Sequence, residues 1–177
     1  MKQDLKRLLP WLTIPLVLAA LAWFRPGLFF GSGLEDREAP TFDAVIEAGD
    51  GQGDRVSLAD QRGRVVVLDF WASWCGPCRQ SVPILNRVAA RFRDKPVSIY
   101  GVNVEPELGP RRLLLAHQGI GAIFPTFQDK NGDLQRDYGV QMLPTLVVID
   151  PEGKVRHVSS GVPFEGRLVS VVDGLLP

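Results

Sequence analysis

The sequence predicts an α/β fold in which helices flank a central sheet, with a membrane helix at the N-terminus. Two observations predict the folded part. The nearly continuous apolar run Val65–Trp71 has the length of a strand buried on both faces, and an amphipathic helical pattern follows it. The third observation is a charge-free run from Leu8 to Phe24. With 177 residues and 45% hydrophobic content, the chain can hold one domain of ordinary size beside this leader.

The run from Leu8 to Phe24 indicates a membrane segment. It follows a positively charged N-terminus, which would stay in the cytoplasm, and its length is at the short end for a spanning helix. The alternative is a cleaved signal peptide, since Ala20-Leu21-Ala22 resembles a small-x-small cleavage site. Apolar character continues as far as Phe30, which favours an uncleaved anchor.

Three parts are therefore expected along the chain. Residues 1–30 form the anchor, or alternatively the signal peptide. Residues 31–38 are small and charged, as in a short tether. Residues 39–177 form the folded domain, in which we find no internal repeat or low-complexity tract.

Elements of the domain follow from local patterns. Val82, Leu85 and Val88 recur at helical spacing, and Pro83 should kink their helix. The turn Asp150-Pro151-Glu152-Gly153 predicts a hairpin. In order, the expected elements are a strand at Val65–Trp71, a helix at about Cys78–Phe92, a strand at Val97–Val104, a helix at Arg111–Gln118, a short strand at Phe124–Gln128, hairpin strands at Leu146–Ile149 and Lys154–Val158, and a helix at about Glu165–Leu176.

Charge and cysteine content narrow the function classes. The formal net charge is zero at pH 7, and no long run of basic residues suggests a nucleic-acid partner. The chain has two cysteines, both in the pentapeptide Trp74-Cys75-Gly76-Pro77-Cys78. So few cysteines argue against a small fold that is stabilised by several disulfides, and they favour a redox-active pair.

The pair Cys75 and Cys78 is the candidate redox centre. Two thiols separated by two residues can close into a disulfide and reopen, and the start of a helix favours the thiolate of the first. We expect thiol–disulfide exchange, in which an exposed Cys75 attacks the partner disulfide and Cys78 resolves the mixed disulfide.

Other uses of two such cysteines are less favoured. A zinc site needs four ligands, and only His117 and His157 could add to the pair. Covalent haem attachment needs a histidine where the chain has Arg79. A purely structural disulfide closing so short a loop would contribute little stability. We expect no cofactor and no metal, with both histidines as ordinary surface residues.

Asp69 interrupts the apolar run that precedes the cysteines. A carboxyl buried among valines is costly to ionise, so its pKa should rise until it can accept a proton from Cys78. The alternative is a carboxylate satisfied by local donors without a catalytic part.

The segment from Val65 to Pro83 resembles the active site of thioredoxins. That family has an aspartate beneath the cysteines and a tryptophan before the first, and Asp69 and Trp74 occupy those places. The stretch Tyr138–Thr145 is similar to the one that leads to the family's cis-proline. The resemblance covers residues 39–177, and it implies a thioredoxin-like fold with a central mixed sheet flanked by helices.

Within that superfamily, the chain is identified as a member of the TlpA/ResA-like branch of membrane-anchored, extracytoplasmic thiol-disulfide oxidoreductases. It shares the anchor, a longer segment between Val104 and Tyr138, and Ala-Pro-x-Phe at residues 39–42.

Further residues are expected to support the cysteine pair. The resemblance implies a cis peptide bond before Pro144, with the backbone of Leu143 free to pair with an extended substrate strand. We expect Trp74 to shape the contact surface and Glu105 to line the site. Trp71 is expected to belong to the core.

The resulting prediction is an extracytoplasmic protein disulfide reductase. Gly76-Pro77 is the thioredoxin dipeptide, and thioredoxin is a reductant. The expected partners are disulfide-containing extracytoplasmic proteins and a membrane thiol-electron donor of the DsbD/CcdA type, with the catalytic domain in the periplasm or otherwise outside the cytoplasm. The alternatives are a DsbA-like oxidant, an isomerase, or a Sco-like copper chaperone, although Sco-like proteins space their cysteines by three residues.

Overall fold

The computed structural model describes residues 33–177, of which Leu34–Pro177 form one compact unit. The predicted membrane segment at residues 8–24 and the possible cleavage site lie outside the described residues. Within the described range, the helices are too short or too polar to cross a membrane.

The described chain alternates between strands and helices. In chain order, these elements are β1 Asp43–Ala48, β2 Arg55–Ser57, β3 Val65–Trp71, α1 Gly76–Arg91, β4 Val97–Asn103, α2 Pro110–Ile120, β5 Thr126–Gln128, α3 Asp133–Asp137, β6 Thr145–Ile149, β7 Val155–Ser160 and α4 Glu165–Gly174. Every predicted element is present with slightly shifted ends. The sequence did not predict β1, β2 and α3.

Within residues 33–177 the strands form one mixed sheet of seven, in the order β2-β1-β5-β4-β3-β6-β7. The three strands β3, β4 and β5 are parallel to one another, whereas β6 runs antiparallel to β3. All seven residues of β3 are buried, which confirms the prediction of a central strand covered on both faces. The prediction of a mixed sheet flanked by helices is also confirmed.

The side chains of β3 alternate between the two faces of the sheet, and apolar side chains of other elements cover both faces. Val65 and Val67 pack against apolar side chains of α1 and α4. Val66 and Leu68 point the other way, into the cluster that contains Phe42. The middle of α1, at Val82, Leu85 and Val88, therefore packs on one face of β3.

The compact unit begins before Ala39, where the sequence predicted the domain to start. The segment Asp36–Ala39 runs along the outer edge of β7. The N–H of Asp36 donates to the carbonyl of Val155, and the N–H of Val155 donates to the carbonyl of Arg37. The N–H of Ala39 donates to the carbonyl of Gly153. An ion pair between Asp36 and Arg156 accompanies these bonds.

Candidate active site

The two cysteines lie at the N-terminus of α1, just after β3. Their sulfurs form a disulfide with an S–S distance of 2.06 Å. Cys75 is the N-cap residue, and its Sγ accepts a hydrogen bond of 3.1 Å from the main-chain N–H of Cys78. Gly76 and Pro77 are exposed in the first turn, where proline costs no helical hydrogen bond. The partial positive charge of the helix end favours a thiolate at Cys75 when the disulfide opens.

Cys75 is buried in the disulfide form, so the prediction that it is exposed is wrong for this state. Cys75 is 3% exposed and Cys78 is 1% exposed, because both pack with Trp71 and Ala72. Trp74, in contrast, is 71% exposed. The indole of Trp74 therefore lies at the surface beside a disulfide that is itself largely covered.

Asp69 lies in the middle of β3, on the face that carries the cysteines. Side chains of a strand alternate, so Asp69 shares its face with Val67 and Trp71. Val67 packs beneath α1, and Trp71 packs against both cysteines. The carboxyl group is therefore located between the core under α1 and the redox pair.

The environment of Asp69 favours its protonated form. The residue is 1% exposed, and among the described residues neither carboxylate oxygen has a hydrogen-bond partner. Burial raises the pKa of Asp69 from 3.8 to about 8. No donor among the described residues bonds to this carboxylate, and the group can hold or accept a proton near neutral pH.

The loop before β6 supplies a third part of the site. The peptide bond between Leu143 and Pro144 is cis, as predicted. The side chain of Leu143 packs against the cysteine cluster, and its main chain makes no hydrogen bond to the residues that the structure describes. The Pro144 carbonyl accepts a 2.7 Å bond from the N–H of Gly161, which fixes the loop to the end of β7.

Glu105 holds the loop that leads into the cysteines. Its carboxylate accepts bonds of 2.6 Å from the Ser73 N–H and 2.9 Å from the Ser73 hydroxyl. The Asn103 side chain donates a third bond of 3.1 Å to Glu105. Sequence reasoning missed Ser73, because nothing in the local pattern indicates a contact with Glu105, 32 residues further along the chain. It also missed Asn103, whose side chain bonds to Glu105 only two residues away.

The histidines differ from expectation. His117 is 4% exposed rather than a surface residue, and its Nε2 lies 2.9 Å from the Phe124 carbonyl. His157 is half-buried, and burial lowers its pKa below the usual value, with a further lowering from Arg167. Across residues 33–177, no group of three or more His, Cys, Asp or Glu side chains is arranged to hold a metal ion.

Comparison with known proteins relates most of the chain to thiol chemistry. Residues 36–158 match the AhpC/TSA family. The chain is similar to the thiol-disulfide oxidoreductase ResA of Bacillus subtilis, with 33% identity over 144 residues, which are 81% of this chain and 76% of that protein. It is 32% identical to ResA of Geobacillus thermodenitrificans over an alignment of 179 positions, which covers 100% of both chains.

Solved structures agree with the fold. A thiol:disulfide interchange protein of the thioredoxin family from Chlorobium tepidum has a TM-score of 0.66 and 26% identity, over 79% of this chain and 96% of that one. An exposed lipoprotein thioredoxin from Streptococcus pneumoniae has a TM-score of 0.66 and 28% identity, over 77% of this chain and 100% of that one. The fold is therefore thioredoxin-like, as the resemblance implied.

Proposed function

We propose that this chain, which belongs to the AhpC/TSA family and is a thiol-disulfide oxidoreductase of the ResA type, reduces disulfides in extracytoplasmic partner proteins. The observation that carries the proposal is the arrangement of Cys75 and Cys78 at a helix N-terminus, with the buried carboxyl of Asp69 on the strand beneath. That carboxyl has no hydrogen-bond partner among residues 33–177. That arrangement supplies a nucleophile, a resolving thiol and a proton acceptor in one place.

The first step is attack by the Cys75 thiolate on one sulfur of the partner disulfide. A bond forms between Cys75 and that sulfur while the partner's S–S bond breaks. The second partner sulfur leaves as a thiolate and takes up a proton. The helix N-terminus favours this step, because it stabilises the attacking thiolate.

The second step releases the partner. Cys78 gives its proton to ionised Asp69, and the Cys78 thiolate attacks the sulfur of Cys75. The Cys75–Cys78 bond forms, the bond from Cys75 to the partner breaks, and the partner's remaining sulfur leaves and is protonated. The partner has then gained an electron pair that the two cysteines have lost, and a thiol donor must reduce them again.

The surface around the cysteines supports a protein substrate. The exposed indole of Trp74 offers apolar contact area. The main chain of Leu143 makes no hydrogen bond to other described residues. It can therefore form strand-like hydrogen bonds with an extended segment of the partner. Glu105 acts as a positioning residue, since it fixes Ser73 and with it the approach to Cys75.

The location and the electron donor are part of the proposal. The charge-free run at residues 8–24 after a basic N-terminus supports a single-pass anchor in the inner membrane. The catalytic domain would then lie in the periplasm or otherwise outside the cytoplasm. A membrane thiol transporter of the DsbD/CcdA type would return the disulfide to the reduced state.

Trapping of mixed disulfides tests the division of labour between the cysteines. In the full-length protein, Cys78→Ser should accumulate covalent complexes with partners, because the resolving thiol is missing. Cys75→Ser should trap almost none, and the variant without either cysteine is the matched control. Equal trapping by the two single variants would contradict the assigned roles.

The direction of electron flow is tested by the reduction potential of the pair. Equilibration in glutathione or dithiothreitol buffers should give a value closer to about −270 mV, as in thioredoxin, than to about −120 mV, as in DsbA. A value at the DsbA end would make the protein an oxidant or an isomerase. Stoichiometric copper binding without disulfide exchange would instead favour a Sco-like copper chaperone.

A further inference from the structure

An open cavity of about 590 Å³ lies at the end of the sheet opposite to the cysteines. It is lined by the first half of β4, the last turn of α1 and the chain that leads into β5. We call it the Ile99 cavity, after a residue in its lining. The cysteines lie at the start of α1, and the 16 residues of this helix, about 24 Å, separate them from this end. Since its volume is usual for a ligand pocket, the cavity is a second candidate binding site.

The edge of β4 that faces β5 is paired over only part of its length. β5 pairs with Gly101–Asn103 of β4, and the N–H of Gly101 donates to the carbonyl of Pro125. Successive residues of a parallel strand turn their main-chain groups to opposite neighbours, so Ile99 turns its N–H and C=O to the same side as Gly101. Neither group of Ile99 bonds to a residue that the structure describes. The cavity therefore lies along an unpaired piece of strand edge.

Pro125 and Asn86 explain why this edge is unpaired. Pro125 has no N–H, so it cannot donate to the carbonyl of Ile99 as another residue in the ladder would. The side chain of Asn86, on α1, donates a bond of 2.8 Å to the Gly121 carbonyl and accepts one of 3.1 Å from the Ile123 N–H. These bonds hold the chain that leads into β5 against α1 instead of alongside β4.

Two guanidinium groups line the Ile99 cavity. The guanidinium of Arg64 is held by a bond of 2.8 Å from Nε to the Ser98 hydroxyl and one of 2.9 Å from Nη2 to the Val97 carbonyl. These bonds leave its Nη1 free to donate to a ligand. Arg93 makes no ion pair with the residues that the structure describes. Asp50 is the one carboxylate among the described lining residues, so the lining is positively charged overall and favours an anion.

We propose that the Ile99 cavity binds the C-terminal residue of a partner polypeptide. The terminal carboxylate pairs with the guanidinium groups of Arg64 and Arg93. The last peptide carbonyl of the partner accepts a hydrogen bond from the N–H of Ile99, as when a strand is added to a sheet edge. An apolar side chain of the partner packs against Phe92 and Phe124, which line the same cavity.

The three kinds of lining group together select this ligand. Guanidinium groups alone would bind any anion, and apolar side chains alone would bind any hydrophobic molecule. The main chain of Ile99 adds a requirement for an amide, which offers both a carbonyl and an N–H. A peptide end satisfies all three, whereas a free carboxylic acid would leave Ile99 unpaired. The cavity would hold a partner at a distance from the cysteines, so this inference does not depend on the proposed disulfide reduction.

Titration of the full-length oxidised protein with N-acetyl-leucine, followed by NMR of the main-chain amides, tests the proposal. This probe has the carboxylate, the amide and the apolar side chain of a peptide end, and it should shift the Ile99 amide signal. N-acetyl-leucinamide, which lacks the charge, should bind at least about tenfold more weakly. Isocaproate, which has the same carbon skeleton without the amide, should bind about fivefold more weakly.

Two arginine variants provide the matched comparison. Arg93→Gln removes an exposed guanidinium from the lining and should weaken binding of N-acetyl-leucine about tenfold. Arg91→Gln makes the same change of charge outside the lining and should bind as the native chain does. The proposal is overturned if N-acetyl-leucine does not bind or leaves the Ile99 amide unshifted, or if the two variants bind it equally. It is also overturned if the amide-capped probe or isocaproate binds as tightly, since the site would then not recognise a peptide end.

Discussion

Replacement of Asp69 by asparagine should make the protein more stable as well as slower. The carboxyl is 1% exposed and has no hydrogen-bond partner among residues 33–177, so it is costly to ionise in the folded chain. Asparagine has nearly the same shape and does not titrate. The variant should keep the fold, and it should lose the proton acceptor that resolves the mixed disulfide.

The size of the gain follows from the pKa of Asp69. Below its ordinary value of 3.8 the carboxyl is protonated in the folded and unfolded chains alike, and it costs no stability. Between 3.8 and about 8 the folded chain keeps a proton that the unfolded chain releases. The free energy of unfolding then falls by about 1.4 kcal/mol for each pH unit. The free energy of unfolding of Asp69→Asn, relative to that of the native chain, should therefore be about 4 kcal/mol higher at pH 7 than at acidic pH. This difference should stop growing above pH 8.

Urea unfolding of the oxidised protein between pH 5 and pH 8 measures this difference. The matched control is Asp150→Asn, at a buried carboxylate that accepts bonds from Lys154 and Arg156. Burial alone would raise the pKa of Asp150, but these bonds outweigh it and hold the pKa below the usual value. The control should be less stable than the native chain by an amount that is constant over this range. A constant difference for Asp69→Asn as well would refute the raised pKa.

Two further predictions concern the loop before the cysteines. Glu105→Gln replaces one of the two carboxylate oxygens that accept from Ser73 with an NH₂ group, which cannot accept. It should lower the free energy of unfolding by about 1–2 kcal/mol, with faster hydrogen exchange at the Ser73 amide. Unchanged exchange at that amide would count against the positioning role. Trp74→Ala removes a side chain that is 71% exposed, so stability should change by less than about 0.5 kcal/mol while kcat/KM for protein disulfides falls. Small disulfides should react at the native rate, and an equal loss for both substrates would argue against a docking role.

Local sequence was sufficient for the central part of the fold. The run Val65–Trp71 and the helix after it were recognised because burial on both faces and helical spacing leave a pattern in adjacent residues. The short strand β2 (Arg55–Ser57) has three residues and an exposed end, and its partner β1 supplies the pairing that defines it. Elements that depend on a neighbour for their existence leave little signal of their own.

The same distinction applies to the site. The cysteine pair, Asp69 and Pro144 carry their chemistry in residue type and spacing, so sequence alone could propose them. The burial of Cys75 and the bonds between Glu105 and Ser73 depend on how distant strands and loops come together.

The segment Asp36–Ala39 affects where a shortened version of the domain can begin without a loss of solubility. A strand at the border of a sheet offers unpaired N–H and C=O groups to any other chain, which is a common route to aggregation. In this protein the segment bonds to that border at Gly153 and Val155. A domain trimmed to begin at Ala39 would lose most of this cover and leave β7 open to edge-to-edge association, whereas one that begins at Leu34 would keep it.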